Sequence, residues 1–160
     1  MIFVTVGTQD KQFPRLLEEV ERLIKIGKIN DTVIAQIGNT KFNTELESNK
    51  MHLIEFTTPR EVDALITNAD LIITHGGVAT IIEGLNHGKK IIAVPRLKKF
   101  KEHVNDHQLQ IIENFDESGF IIGTRGVEEL EKALNRVEAF VPEKYVSNND
   151  SFLERLEDKI

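Results

Sequence analysis

Cysteine occurs nowhere in the 160 residues, so disulfides and thiol chemistry are both excluded. Its absence agrees with a reducing compartment. Long apolar runs are missing too: none approaches the roughly 20 residues that a membrane-spanning helix requires. Met1-Ile2-Phe3-Val4-Thr5-Val6 carries no basic segment and runs straight into a strand pattern, so no signal peptide is expected. Excess positive charge is the third thing lacking. A formal charge of −6 removes the electrostatic footprint of a nucleic-acid binder and opposes adsorption to an anionic membrane. One stretch departs from that average. Arg96-Leu97-Lys98-Lys99-Phe100-Lys101 holds four cations in six residues, which suits either a solvated loop or a contact for a partner.

No internal repeat or low-complexity linker divides the chain, and its length suits one domain over 1–160 with a sizeable core. Ile2–Val6 reads as a strand that stops at Gly7. Phe13–Ile26 has helical spacing, with Leu16, Leu17, Val20, Leu23 and Ile24 on one stripe. Thr32–Ile37 and Met51–Phe56 are further strands, and Thr58-Pro59 opens a helix with proline at its first position. Leu71–Thr74 precedes Gly76-Gly77 and a helix to about Gly88. Lys90–Val94 is a strand stopped by Pro95. Helix is expected over His103–Phe115, strand over Gly119–Ile122, and helix over Val127–Ala139. Phe152, Leu153, Leu156 and Ile160 space out a last short amphipathic helix in a tail over about 145–160. Strands that are near-continuous apolar runs, alternating with helices, imply a parallel sheet covered on both faces. The fold class is therefore α/β, a single doubly wound, Rossmann-like sheet of about six strands. Ligands of such sheets bind at the carboxyl ends of the strands, near the point where strand order reverses.

The densest signal lies at one such end: Thr74-His75-Gly76-Gly77-Val78-Ala79-Thr80-Ile81-Ile82-Glu83. A strand ends, two glycines turn, and a helix begins. Free backbone N–H groups at a helix start form an anion site, and glycines let a phosphate come close. His75 can donate to a phosphoryl oxygen and Thr80 can add a hydroxyl. Glu83 shares a helix face with Thr80 and suits two vicinal ribose hydroxyls. Each feature alone also has an ordinary structural explanation; their order is what points to a nucleotide.

His75-Gly76-Gly77, Glu83, Gly88, Pro95 and Asp106-His107-Gln108 together resemble the C-terminal donor-binding domain of the GT-B glycosyltransferases of family 28. Phe3-Val4-Thr5-Val6-Gly7-Thr8, Phe13 and Gln36-Ile37-Gly38 extend the resemblance to the N-terminus. With the tail Tyr145-Val146-Ser147-Asn148-Asn149, the pattern is similar to the small bacterial capsule and exopolysaccharide glycosyltransferase subunits. It is similar also to the cytosolic subunit of the dolichol-linked N-acetylglucosamine transferase. The resemblance implies the C-terminal half of a GT-B fold and a UDP-sugar donor. It places the diphosphate on His75, Gly76, Gly77, Val78, Ala79 and Thr80, facing a loop of Gly7 and Thr8. Glu83 would take the ribose, the backbone around Thr57 and Thr58 the uracil edge, and Asp106 and Gln108 the sugar hydroxyls. The acceptor half would come from a membrane-associated partner subunit that binds a lipid-linked sugar. That partner would recruit this cytoplasmic chain to the inner face of the membrane, with the basic run and the terminal stripe as its contacts.

The resulting expectation is a split inverting glycosyltransferase (hexosyltransferase) that transfers galactose or N-acetylglucosamine in cell-surface polysaccharide synthesis. The alternative is a non-catalytic accessory subunit that enhances a partner enzyme. No Asp-x-Asp occurs to clamp a metal diphosphate, so no metal or other cofactor is expected. No residue is assigned as general base, a role expected of the partner. His103 and His107 have the i, i+4 spacing of a metal pair, with no third ligand evident. A dinucleotide oxidoreductase would need G-x-G-x-x-G after the first strand, where only Gly7 stands.

Overall fold

The computed structural model describes residues 1–146. The expected terminal helix, and most of the expected 145–160 tail, fall outside the described residues. Strands β1 (Ile2–Thr5), β2 (Val33–Gln36), β3 (Met51–Ile54), β4 (Leu71–His75), β5 (Lys90–Val94) and β6 (Ile122–Gly123) form one sheet. Between them run α1 (Pro14–Lys25), α2 (Pro59–Asn68), α3 (Val78–Asn86) and α4 (His107–Glu117), and α5 (Leu130–Leu134) follows β6. Every neighbouring pair of strands is parallel, in the order β3-β2-β1-β4-β5-β6. The order reverses between β1 and β4, where Thr5 lies opposite Thr74. The loops after these paired strand ends therefore leave toward opposite faces of the sheet, to α1 and to α3, and open a crevice between them.

Side-chain alternation along the strands builds two cores. Ile2, Val4 and Val6 face Leu16, Leu17, Val20 and Leu23 of α1. Phe3, Ile72, Ile91 and Ala93 face the other way, against Ile66, Ile81, Leu85, Ile111, Ile112 and Phe115 from α2, α3 and α4. Helix starts follow local chemistry. Pro14 and Pro59 occupy first-turn positions, and the Thr58 hydroxyl accepts from Glu61 N at 3.2 Å as an N-cap.

Three boundaries differ from the sequence expectation. The α4 helix begins at His107, not His103. The Asn105 side chain accepts from His107 N at 3.0 Å, and this local turn displaces the first helical turn. The last strand is Ile122–Gly123, shifted from Gly119–Ile122, because Gly119 instead takes φ +79 in the turn that ends α4. The expected helix over Val127–Ala139 splits into a 3-10 turn at Val127–Glu129 and the short α5. After Leu134 the amides of Arg136 and Val137 reach back three residues, to Ala133 and Leu134, which tightens and closes the helix.

The basic run also divides. Arg96 is not a surface cation but is fully buried. Its guanidinium donates to the carbonyls of Val6, of Lys11 at 2.9 Å and of Glu102 at 3.1 Å. Burial lowers its pKa to about 10, against the opposing pull of Glu102. The Glu102 carboxylate is buried as well, accepting from Arg15 at 2.7 Å and from Leu97 N at 3.1 Å. Only Lys98, Lys99 and Lys101 reach solvent, beside a half-exposed Phe100. A buried fork bonded to three carbonyls leaves all three unpaired when removed. Arg96→Ala is therefore expected to lower unfolding free energy by about 3 kcal/mol, and Arg96→Lys to rescue little of it. Urea unfolding followed by circular dichroism measures both; a loss under about 1 kcal/mol would show that the fork contributes little net stability.

Candidate functional site

A cleft of about 460 Å³ opens at the switch point, lined by the carboxyl ends of β1, β2 and β4 and the start of α3. It brings together Gly7, Thr8, Thr57, His75, Gly77, Val78, Ala79, Thr80 and Glu83 of the residues expected from sequence. It also recruits Thr5, Gln9, Gln36, Pro59 and Val62, to which no role had been given. Thr5 and Gln36 form its polar floor: the Thr5 hydroxyl donates to Gln36 Oε1 at 3.0 Å and accepts from Gly7 N at 3.1 Å. Their position at the ends of β1 and β2 was the available signal.

At the head of α3, Gly77 is the N-cap and provides no side-chain cap. The first turn of α3 thus lines the cleft with no side-chain cap on its N–H groups, at the positive end of the helix dipole. His75 closes β4 with only 5% of its surface exposed. Its Nε2 edge lies between the Cα atoms of Gly7 and Gly77. A Cβ on Gly7 would stand 2.5 Å from Nε2, and one on Gly77 2.5 Å from Cε1. Gly7 also has φ +78, which a side chain would strain. Both glycines are therefore required for the imidazole to reach the cleft.

Four expected residues do not line the cleft. Thr58 is spent capping α2. Gly76 is buried and donates its N–H to Gln108. Asp106 is exposed, its Oδ1 accepting from Lys98 N at 2.8 Å. Gln108 is buried behind His75, not open to a sugar. Its Oε1 accepts from Gly76 N and from Arg96 N, each at 3.0 Å, and its Nε2 lies 3.1 Å from His75 Nδ1. Among the described residues no group of three or more His, Asp or Glu side chains is placed to hold a metal ion. Among these residues none is placed as a third ligand beside His103 and His107.

Burial, and next the Arg96 charge, push the pKa of His75 down to about 4. Between that value and its ordinary 6.5 the unfolded chain binds a proton that the folded chain refuses. Stability from this group is therefore complete above the unfolded value and falls as pH drops toward 4. The expected loss between pH 7 and 5 is about 2 kcal/mol. Comparing denaturant unfolding of the wild type and His75→Gln at both pH values isolates it. Equal slopes in the two proteins would mean that His75 is not held neutral.

The sequence matches the family model of the glycosyltransferase family 28 C-terminal domain over residues 1–158. It is 26% identical over 124 residues to the UDP-N-acetylglucosamine transferase subunit ALG13 of Candida albicans, covering 78% of this chain and 36% of that protein. The chain thus spans about a third of that relative's length. The NMR solution structure of ALG13 superposes with a TM-score of 0.63 at 22% identity, covering 97% of this chain and 94% of that one. The spinosyn forosaminyltransferase SpnP does so with a TM-score of 0.63 at 18% identity, covering 99% of this chain and 39% of that one. Those identities establish likeness of fold, and the six-stranded parallel layer is that of a GT-B C-terminal domain. With the family match running through nearly the whole sequence, the chain belongs to the glycosyltransferase family 28 C-terminal domains.

Proposed function

We propose that this chain is the UDP-sugar-binding subunit of a split inverting glycosyltransferase. The observation that carries the proposal is the uncapped start of α3 facing the Nε2 edge of His75 across two glycines. The diphosphate lies on the Gly77–Thr80 N–H groups, and Glu83 takes the ribose hydroxyls. The uracil edge meets the backbone near Thr57, while Thr58, between the wall residues Thr57 and Pro59, caps α2. Thr5 and Gln36 supply further polar contacts from the floor.

The acceptor hydroxyl attacks the anomeric carbon from the face opposite the UDP. As the glycosidic bond breaks, its electron pair passes to the diphosphate. The charge that grows there meets donors already in place, which costs no reorganisation during the step. A base on the partner removes the hydroxyl proton. The transferred sugar is galactose or N-acetylglucosamine, and the acceptor is a lipid-linked sugar held by a membrane-associated partner in cell-surface polysaccharide synthesis. The relative named as a transferase subunit supports a two-chain arrangement. In this scheme the chain works in the cytoplasm at the inner face of the membrane. Lys98, Lys99, Phe100 and Lys101, exposed beyond β5, are available as a partner contact. Asp106 reaches the sugar only if a bound donor draws it from Lys98 N.

Among the described residues Glu83 is the one carboxylate lining the cleft, and the sequence has no Asp-x-Asp, so UDP binding is proposed to need no divalent metal. Isothermal titration in excess chelator is expected to retain UDP affinity, and binding lost on chelation would overturn that part. Glu83→Ala is expected to weaken UDP by about 1.5–3 kcal/mol while leaving free pyrophosphate nearly unchanged. Equal losses for both ligands would remove Glu83 from the ribose. Glycosyl transfer by Glu83→Ala when reconstituted with the partner separates a donor-binding subunit from an accessory one, since only the former loses turnover.

A further inference from the structure

We infer that Gln108 is a positioning residue that fixes the tautomer of His75, so that a neutral imidazole presents Nε2–H to the cleft. The hydrogen bonds leave one assignment. Gly76 N and Arg96 N can only donate, and both point at the same Gln108 atom at 3.0 Å. That atom must be the amide oxygen, because an NH2 group there would face two donors. The other end of the amide is then the NH2 group, 3.1 Å from His75 Nδ1. Nδ1 must accept, so it carries no proton. The single proton of the neutral ring lies on Nε2.

Nε2 is also the edge between Gly7 and Gly77. The ring thus offers its only N–H where the anion site lies. Protonating Nδ1 would set N–H against N–H inside a buried site. An amide oxygen facing Nδ1 would have favoured the imidazolium, but that oxygen is taken by the two backbone amides. Arg96 and His103 are the charged or titratable groups that act on the ring from beyond β5 and before α4, both disfavouring a second proton. On α3, Glu83 lines the same cleft. The device gives a donor that keeps its proton throughout the neutral range without carrying charge.

The step from tautomer to ligand rests on the proposed diphosphate role of the cleft; the tautomer itself does not. Long-range proton–nitrogen correlation spectra of the ligand-free protein read the ring directly. A pyridine-like Nδ1 and a pyrrole-like Nε2 are expected between about pH 5.5 and 8. A pyrrole-like Nδ1 overturns the inference even if UDP-sugars bind. Gln108→Glu supplies a second readout. Its second carboxylate oxygen would accept from Nδ1–H, which raises the His75 pKa and leaves Nε2 bare once the ring is neutral. UDP-N-acetylglucosamine, whose diphosphate diester does not titrate in this range, is the probe. Wild-type affinity is expected to be flat over that range, while the variant loses about tenfold as pH rises through it. A parallel flat profile in a folded variant would reduce Gln108 to a packing role. The expected spectra with no binding of any UDP-sugar would leave the tautomer standing and reject the proposed function.

Discussion

A single side-chain carbonyl joins the ends of two neighbouring strands to the helix behind them. Gln108 Oε1, at the start of α4, accepts from the residue after β4 and from the second residue after β5. Both N–H groups lie just past the strands, where the sheet ladder no longer supplies partners and burial would leave them unpaired. Satisfying them with one amide fixes how far each strand end travels before its loop turns away. It also fixes what the amide shows to His75. The orientation and tautomer of the imidazole follow from that one shared acceptor, while burial and then the Arg96 charge keep the ring neutral.

Arg96 performs the matching task across the sheet. Its N–H is held by Gln108, while its guanidinium holds the β1–α1 loop through Val6 and Lys11 and the turn before α4 through Glu102. Gly7 lies between those two β1–α1 contacts in sequence. The wall of the cleft formed by Gly7 and Thr8 is therefore tied to the wall formed by His75 through Arg96 and Gln108. Glu102 and Arg15 extend the tie to α1. A buried cation bonded mainly to carbonyls keeps its charge near the cleft, where it favours an anion and adds to the burial that keeps His75 neutral. Positive potential at the site thus comes from the α3 dipole and a buried arginine, in a chain whose total charge is −6.

The roles of the cleft residues separate along the same lines. In the proposed scheme Gly77, Val78, Ala79 and Thr80 would serve through their backbone N–H groups, with the Thr80 hydroxyl beside them. Thr5, Gln36 and Glu83 offer side-chain oxygen or nitrogen toward the cleft. Gln108, Gly76 and Arg96 lie behind it and act by holding the others. Of the two residues that the resemblance assigned to the sugar, Gln108 falls into this last layer and Asp106 lies exposed against Lys98 N, because sequence order reveals which elements meet but not which side of a helix turns inward.

By itself the sequence determined the class of fold and the order of strands and helices, and it singled out the strand ends where the candidate cleft lies. Apolar runs such as Leu71–Thr74 and Lys90–Val94, alternating with helices, fit a parallel sheet covered on both faces, and that sheet places ligands at strand ends. His75-Gly76-Gly77 and Glu83 were legible because strand, turn and helix start are contiguous, with chemistry set by local backbone geometry. Only the tertiary structure decided the parts made by distant contacts. Gln108 meets His75 across 33 residues and Arg96 meets Val6 across 90. A basic residue within Arg96–Lys101 looks the same in sequence whether it faces water or three buried carbonyls. Which it does depends on how two loops, brought together by the sheet order, leave their carbonyl groups without other partners.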